Sequence, residues 1–439
     1  MFVSKLTLVI YASPLLVIFL LYAGAKLRKH RKSLAEQKAS IEAGLTEPSS
    51  MWPVINHNRC IGCGSCAAAC PEQRAHAVLG IINGKSHLVG PAYCIGHGAC
   101  AVVCPRNAIT LVYGTRNRGV DIPKIDENLE SNVQGLFIAG ELGGMGLIHR
   151  ALEKGVAAMR TISNLDGIGQ GDRYDVAIVG AGPAGFSATL FAKEHGLKYV
   201  TIEQEDGIGG AVYKYPKGKI VMTRPSYLPG IGESKFVETT KEELLEYWNS
   251  AREKTGIQIN FRESVEKITP LQDEFEVKTN RETYRTRAVL LAIGRAGTPR
   301  KLNVCGEDDG KVVYRLIDPD DHRGKHVLVV GGGDSALEAA TSIAAVSGTT
   351  VTLSYRSDAF GRAKEKNRIK VEEAEKAGRL KVLLSSNVKG ITPPHVTIEK
   401  GGETMEIQNE VIIVCAGGIL PTGFLKEIGI TIETKYGTP

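Results

Sequence analysis

Four thiols in Cys60-Ile-Gly-Cys63-Gly-Ser-Cys66-Ala-Ala-Ala-Cys70-Pro71 stand at spacings of two, two and three residues, with proline after the last. Cys94-Ile-Gly-His97-Gly-Ala-Cys100-Ala-Val-Val-Cys104-Pro105 repeats the run with one change, His97 where a cysteine is expected. Two-residue spacers on a tight loop let successive sulfurs face one metal centre. The cysteine before proline lies beyond that centre's reach and serves the other one. The expected assignment is therefore crossed. Cys60, Cys63, Cys66 and Cys104 go to one [4Fe–4S] cluster, and Cys94, His97, Cys100 and Cys70 to the second. Soft thiolate donors suit iron–sulfur clusters. Seven cysteines in this order argue against structural zinc or a disulfide framework. His97 has two readings. It ligates iron through imidazole, which raises the potential in centres of that type, or it sits beside a cluster with a missing or non-protein ligand, such as a three-iron form.

Over residues 51–112 this stretch resembles the two-cluster bacterial ferredoxins, most specifically in its first run. The resemblance implies a small α+β domain that carries single electrons.

A second chemistry is written further along. Tyr174-Asp-Val-Ala-Ile-Val-Gly180-Ala-Gly182-Pro183-Ala184-Gly185 is an apolar strand running into G-x-G-x-x-G, with a helix expected over 186–195. The next strand, 199–203, ends in Glu203. Strand, glycine turn, helix and acid together form the dinucleotide fingerprint. The glycines allow close approach to a pyrophosphate, and the acid takes a ribose hydroxyl. The fingerprint recurs. His326-Val-Leu-Val-Val330 leads into Gly331-Gly-Gly333-Asp-Ser-Ala336, an accepted G-x-G-x-x-A variant, with a helix expected over 336–347. The strand 351–355 ends in no acid; Arg356 follows, with Arg362, Lys364 and Lys366 nearby. A basic residue there can accept a 2′-phosphate, which favours NADPH over NADH. Lys366 reads as part of a solvated loop.

Ser131-Asn-Val-Gln-Gly135-Leu-Phe-Ile-Ala139-Gly140-Glu141 precedes both fingerprints. It resembles the late flavin-binding segment of the thioredoxin reductase-like flavoproteins, in which Ala-Gly-Asp meets the ribityl chain of FAD. Here Gly140 and Glu141 take those places, Glu141 with one extra methylene. A helix over 148–162 should follow, because Ile148, Leu152, Val156 and Met159 recur at helical spacing. Ala292-Ile293-Gly294 resembles the family's return strand under the flavin dinucleotide. The resemblance covers about 320 residues, and it implies two Rossmann-like domains binding FAD and NAD(P)H. The order departs from the family, where the Ala-Gly-Asp segment is C-terminal. The chain looks like a circular permutant with a ferredoxin grafted at its new N-terminus.

Residues 6–25 hold no charge over twenty positions, the length a helix needs to cross a hydrocarbon core of roughly 30 Å. Pro14 lies inside and is expected to kink it. Lys26, Arg28, Lys29, Arg31 and Lys32 follow at once and account for nearly all of the net charge of +6. By the positive-inside rule they stay in the cytoplasm. A signal peptide cut near Ala23-Gly-Ala25 is the rival; the long apolar run and the basic flank after the cut weigh against it. With the excess charge local, the body shows no basis for nucleic-acid binding. Clusters and free thiols place the soluble part in a reducing compartment.

The expected fold class is α/β, with two Rossmann-like domains, a small α+β ferredoxin domain and an N-terminal transmembrane helix. The expected domains are 1–25 anchor, 26–50 basic linker, 51–112 ferredoxin, 113–300 FAD-binding with 416–439 returning to it, and 301–415 NAD(P)H-binding. Disulfide reductases of this family need a Cys-x-x-Cys facing the flavin. No cysteine occurs in 312–324 or just after Gly209-Gly210. The expected activity is therefore electron passage between NADPH, FAD and the clusters, in either direction. The partner would be a redox protein or a small-molecule acceptor or donor. Hydride transfer to a flavin demands no side-chain acid or base, so no catalytic residue is named. A reductase acting on a partner's thiols and a non-enzymatic redox sensor are the alternatives, and a homodimer is one open assembly state.

Overall fold

The computed structural model describes residues 5–48, 51–74, 76–116, 119–144, 146–295, 297–361 and 363–438. Arg362 and Met145 lie outside the described residues. The chain divides into two compact units, Met1–Val120 with Lys435–Pro439, and Asp121–Thr434.

The first unit opens with α1, Lys5–Glu42, a single helix that runs through Pro14 and past the basic cluster. Its 38 residues span roughly 57 Å at 1.5 Å per residue. The stretch after Ala25, expected as a short amphiphilic helix or a basic linker, is helical as far as Glu42. From Leu15 to Tyr22 its large apolar side chains are all exposed. Further along, the helix meets protein. Ser33 Oγ accepts the Ile81 N–H at 3.1 Å, and His30 Nδ1 accepts the Asn83 N–H at 3.2 Å. A Cβ on Gly80 would come within 2.6 Å of the Ser33 hydroxyl, so glycine permits the approach.

Two short antiparallel pairs frame the cysteine runs. β1 (Trp52–Ile55) pairs with the strand Ile109–Val112, and β2 (Leu79–Ile82) with β3 (Lys85–Leu88). Each cysteine run turns into a short helix, α2 (Ser65–Ala69) and α3 (Ala99–Val102). β4 is Ile109–Val112. The last residues belong to this unit: Tyr113 and Thr438 form an antiparallel bridge, with the Tyr113 N–H donating to Thr438 O at 3.0 Å. Lys435–Pro439 group with the first unit and residues up to Thr434 with the second.

The second unit is entered through β5 (Val120–Pro123). Its two largest sheets are open. In the first, β6 (Leu136–Ile138) is followed by α4 (Ile148–Ile162), β7 (Tyr174–Val179), α5 (Pro183–Glu194) and β8 (Tyr199–Ile202). After helix α6 (Lys241–Thr255) come β9 (Val265–Pro270), β10 (Phe275–Thr279) and the long β11 (Thr283–Leu291). β11 pairs in parallel with β7 on one side and with β6 on the other, while its first half pairs antiparallel with β10. β6 therefore completes the sheet that carries the first glycine turn, although it precedes that turn by some forty residues. Leu152, Val156 and Met159 of α4 are buried, as the helical spacing predicts, and Ile148 packs partly buried beside them.

The second sheet is parallel throughout. β12 (His326–Val330), α7 (Asp334–Ala344), β13 (Thr350–Tyr355), α8 (Glu365–Lys376), β14 (Leu380–Leu384) and β15 (Val411–Val414) build it, in the order β15-β12-β13-β14, with Val312–Val313 on β15's outer edge. Both expected fingerprint helices begin two or three residues earlier than expected, at Pro183 and Asp334, because the turn glycines themselves serve as N-caps. The unit closes with α9 (Thr422–Ile428) and β16 (Ile432–Lys435), which pairs with β5. Thr434 Oγ1 donates to Asp121 Oδ1 at 2.7 Å across that pair.

Candidate cluster and dinucleotide sites

In the first unit the structure sorts the eight expected ligands into two sets. Cys60, Cys63, Cys66 and Cys104 line one hollow, and Cys70, Cys94, His97 and Cys100 line another. Each run supplies three of its own set, and its proline-flanked cysteine reaches across to the other. Cys60 and Cys66 are buried, Cys104 is half-buried, and Cys63 is exposed. Backbone N–H groups point at the sulfurs: Gly62 and Ser86 donate to Cys60 Sγ at 3.4 and 3.3 Å, and Ala108 to Cys104 Sγ at 3.3 Å. Gly62 adopts φ +67°, and a Cβ there would collide with the Gly84 carbonyl, so the loop closes on the β2–β3 turn only with glycine.

The donors suit polynuclear clusters. Among the described residues no three of His, Cys, Asp and Glu gather tightly enough for a single metal ion. Each set instead lines one hollow, as donors to separate irons of one cluster would. Burial pushes the Cys94 thiol up to about 11 and that of Cys100 up to about 12. Without iron these groups are protonated at neutral pH, so metal loading must release protons. Hydrogen bonding with Ser65 lowers the exposed Cys63 thiol below its ordinary value.

In the second unit the first glycine turn runs from β7 into α5. A Cβ on Gly180 would come 2.7 Å from the Ala292 carbonyl oxygen, and one on Gly185 would strike the Gly180 carbonyl. The turn is thus pressed against the return strand and against its own helix, leaving the N-terminus of α5 bare toward Gly182, Pro183 and Ala184. Glu203 is buried. Its Oε2 accepts the Ala181 N–H at 2.7 Å and its Oε1 the Glu205 N–H at 2.9 Å, so the expected ribose acid also holds the turn in place. Gly140 lies against the same helix, where an added Cβ would sit 3.1 Å from that of Ala184. Glu141 follows at the surface. Solvent reaches it, yet desolvation by the surrounding protein raises its carboxyl above the ordinary range, with Arg295 pulling it back down.

The second turn repeats the arrangement. Gly331 leaves β12 with φ +146°, and Gly333 caps α7, in which Ala336 is fully buried. Arg356 stands exposed at the end of β13. Asp334 is a residue that the motif alone does not single out. Its Oδ1 accepts the Lys364 N–H at 2.8 Å and Asn367 Nδ2 at 2.7 Å, pinning the basic loop to the glycine turn. An acid at the first position of the second fingerprint's helix was the available signal. Lys364 is the N-cap of α8, and Lys366, expected in a solvated loop, is exposed on the first turn of that helix.

Residues 177–439 match the family model described as pyridine nucleotide-disulphide oxidoreductase, well over half of the chain. The chain belongs to that family. Residues 52–105 match a second model, a 4Fe-4S dicluster domain. A ferredoxin–NADP reductase of Ignicoccus hospitalis is 30% identical over 271 residues, covering 60% of this chain and 83% of that protein. The bacilliredoxin reductase Bdr of Bacillus subtilis is 28% identical, covering 60% and 82%. Among solved structures, a bacillithiol disulfide reductase Bdr from Bacillus cereus superposes with a TM-score of 0.52 at 25% identity, covering 59% of this chain and 82% of that one. The pyridine nucleotide-disulphide oxidoreductase match begins inside β7, so β6 and α4 precede it although they pack in the same half of the unit. This oxidoreductase thus joins a dinucleotide-binding flavoprotein fold to a dicluster domain. Its second unit contains only two cysteines, Cys305 and Cys415, both free.

Proposed function

We propose that this chain is a membrane-tethered NADPH-dependent iron–sulfur flavoprotein. Gly140, Glu141, Gly180, Gly182, Pro183, Ala184, Gly185 and Glu203 would hold FAD. Gly331, Gly333, Ala336 and Arg356 would hold NADPH, with Arg362 a further candidate from the sequence. The four-donor sets would hold two clusters. When bound, the flavin supplies the conversion of one hydride's two electrons into single electrons. Oxidation of NADPH to NADP+ would yield a proton and two electrons, a number that two one-electron clusters, held by the two four-donor sets, would match. The chain's own contribution is to fix the cofactors. The observation that carries the reading is the pairing of two four-donor sets with two glycine turns in a chain that lacks a redox cysteine pair. Anaerobic NADPH titration followed by optical and EPR spectroscopy tests it. Bleaching of the flavin with appearance of reduced-cluster signals is expected. Flavin reduction that leaves both clusters oxidised would favour the second reading, reduction of a partner's disulfide, to which the names of the Bdr relatives point.

Coenzyme choice rests on Arg356. Replacing it by alanine should weaken NADPH binding about tenfold to a hundredfold while sparing NADH, since a hydrogen bond to a charged phosphate contributes roughly 1.5–3 kcal/mol. Equal losses for both coenzymes in parallel titrations would remove its assigned role.

The tether rests on the exposed apolar stretch of α1 and its basic flank. Deleting residues 1–25 should move the protein from the membrane to the soluble fraction with flavin reduction intact. Ser33 and His30 remain in that truncation, so the helix keeps its seat on the β2–β3 hairpin. A truncated protein that still sediments with membranes would refute the anchor. A reporter after Pro439 that is active only outside the cytoplasm would reverse the orientation.

A further inference from the structure

The β2–β3 hairpin touches the first cysteine set at four points. Its turn lies against Gly62. Lys85 Nζ donates to Cys60 O at 2.6 Å. The Ser86 N–H points at Cys60 Sγ, and Ser86 Oγ lies 3.2 Å from Cys66 Sγ. Ser86 is 2% exposed, so water does not compete for its hydroxyl. A sulfur bound to iron is a thiolate and can only accept; the Ser86 O–H must then be the donor. Side-chain hydroxyls lie within hydrogen-bond reach of two sulfurs of this set, Ser86 beside Cys66 and Ser65 beside Cys63. Ser65 and Cys63 sit at the surface, whereas the Ser86 contact is sealed.

We propose that Ser86 is a positioning residue that raises the potential of the first cluster, with α1 bracing the strand that presents it. Reduction adds one negative charge to the cluster and its sulfurs. A buried hydroxyl aimed at a sulfur stabilises that charge more than it stabilises the oxidised state, and hydrogen bonds to sulfur are a recognised control on these potentials. The brace follows from register. Ile81 is the cross-strand partner of Ser86, and the Ile81 N–H is the group held by Ser33 Oγ of α1. The hairpin is thus fixed on one edge by the helix and presents Ser86 from its other strand.

The inference rests on the two-cluster reading, and its test does not depend on NADPH. Full-length protein in detergent, titrated with mediators and dithionite and followed by EPR, gives each cluster's midpoint potential. Ser86→Ala should lower one midpoint and leave the other cluster and the flavin unmoved at unchanged iron content. Unchanged midpoints in an iron-replete Ser86→Ala protein would overturn the proposal. Should that variant lose iron, the isosteric pair Ser86→Thr and Ser86→Val decides, since only threonine keeps the hydroxyl. The threonine protein should titrate near the parent and the valine protein below it; coincident midpoints would overturn the assignment. Failure of NADPH to reduce either cluster would count against the proposed electron route and leave these potentials readable.

Discussion

Protein lacking Cys60, Cys63 and Cys66 should accept hydride from NADPH at the parent rate and then fail to reduce a one-electron acceptor that depends on the clusters. Iron should fall from about eight per chain to about four, or from about seven to about three if His97 marks a three-iron centre. The expected loss of acceptor reduction is nearly complete, because the first set includes an exposed donor and the second does not. Cys63 is exposed, whereas Cys94 and Cys100 of the second set are buried. Electrons leaving the protein should therefore leave through the first cluster. The matching control replaces Cys305 and Cys415 by serine. Burial pushes the Cys415 thiol up to about 12, which leaves it protonated and a poor nucleophile. Cys305 is exposed and its backbone bridges to Gly390. The double serine protein should reduce its clusters as fast as the parent in stopped-flow. If it stalls at reduced flavin, a thiol step is required and the electron route proposed here is wrong. If the triple-cysteine variant keeps full acceptor activity, the clusters are bystanders.

What could be read from the sequence follows the range of each signal. The cysteine runs and glycine turns are local: spacing of a few residues sets which donors share a loop and where a strand meets a helix. Those segments appear in the structure as strand, turn and helix where they were expected, with ends moved because Gly182 and Gly333 are themselves caps. Signals that act across the chain were silent. Nothing near Ser86 announces that a strand twenty residues away will bring its hydroxyl to Cys66. Nothing near Asp334 announces Lys364 and Asn367. The charge change at Lys26 suggests a boundary, yet the helix continues, since Lys, Arg, Ala, Leu and Glu are all good helix formers and the polar half gains a seat on β2. The C-terminal residues carry no pattern that reveals pairing with Tyr113, more than three hundred positions earlier. The out-of-order segment lies between these cases. Its resemblance identified it, and its sheet partner became visible only once β6 was found beside β11.

Gly155→Val should strip flavin from the protein while leaving the cluster signals in place. Gly155 is buried in the middle of α4, where the helix crosses α5. A Cβ there would collide with the Ala184 carbonyl and the Ser187 hydroxyl. Neither can retreat. Ala184 opens the helix that follows the glycine turn, and Ser187 Oγ already donates to Leu152 O at 2.8 Å and to Ala184 O at 3.0 Å, tying the two helices together. A branched side chain must then lift α4 from α5. Overpacking of this kind costs about 1–3 kcal/mol, and here the displaced parts are the ones proposed to touch FAD: the turn at Gly140 and Glu141, and the N-terminus of α5. Each ~1.4 kcal/mol of lost binding is a tenfold weaker complex, so flavin affinity should fall about tenfold to a hundredfold. Ala157→Val places the same side chain on the exposed face of the same helix and should keep its flavin, which separates the helix crossing from helix propensity. The clusters belong to the other compact unit and should keep their EPR signals in both variants. A Gly155→Val protein that retains FAD at the parent stoichiometry after gel filtration would show that α4, ahead of the first glycine turn, takes no part in holding the flavin. The proposed permuted FAD site would then fail with it.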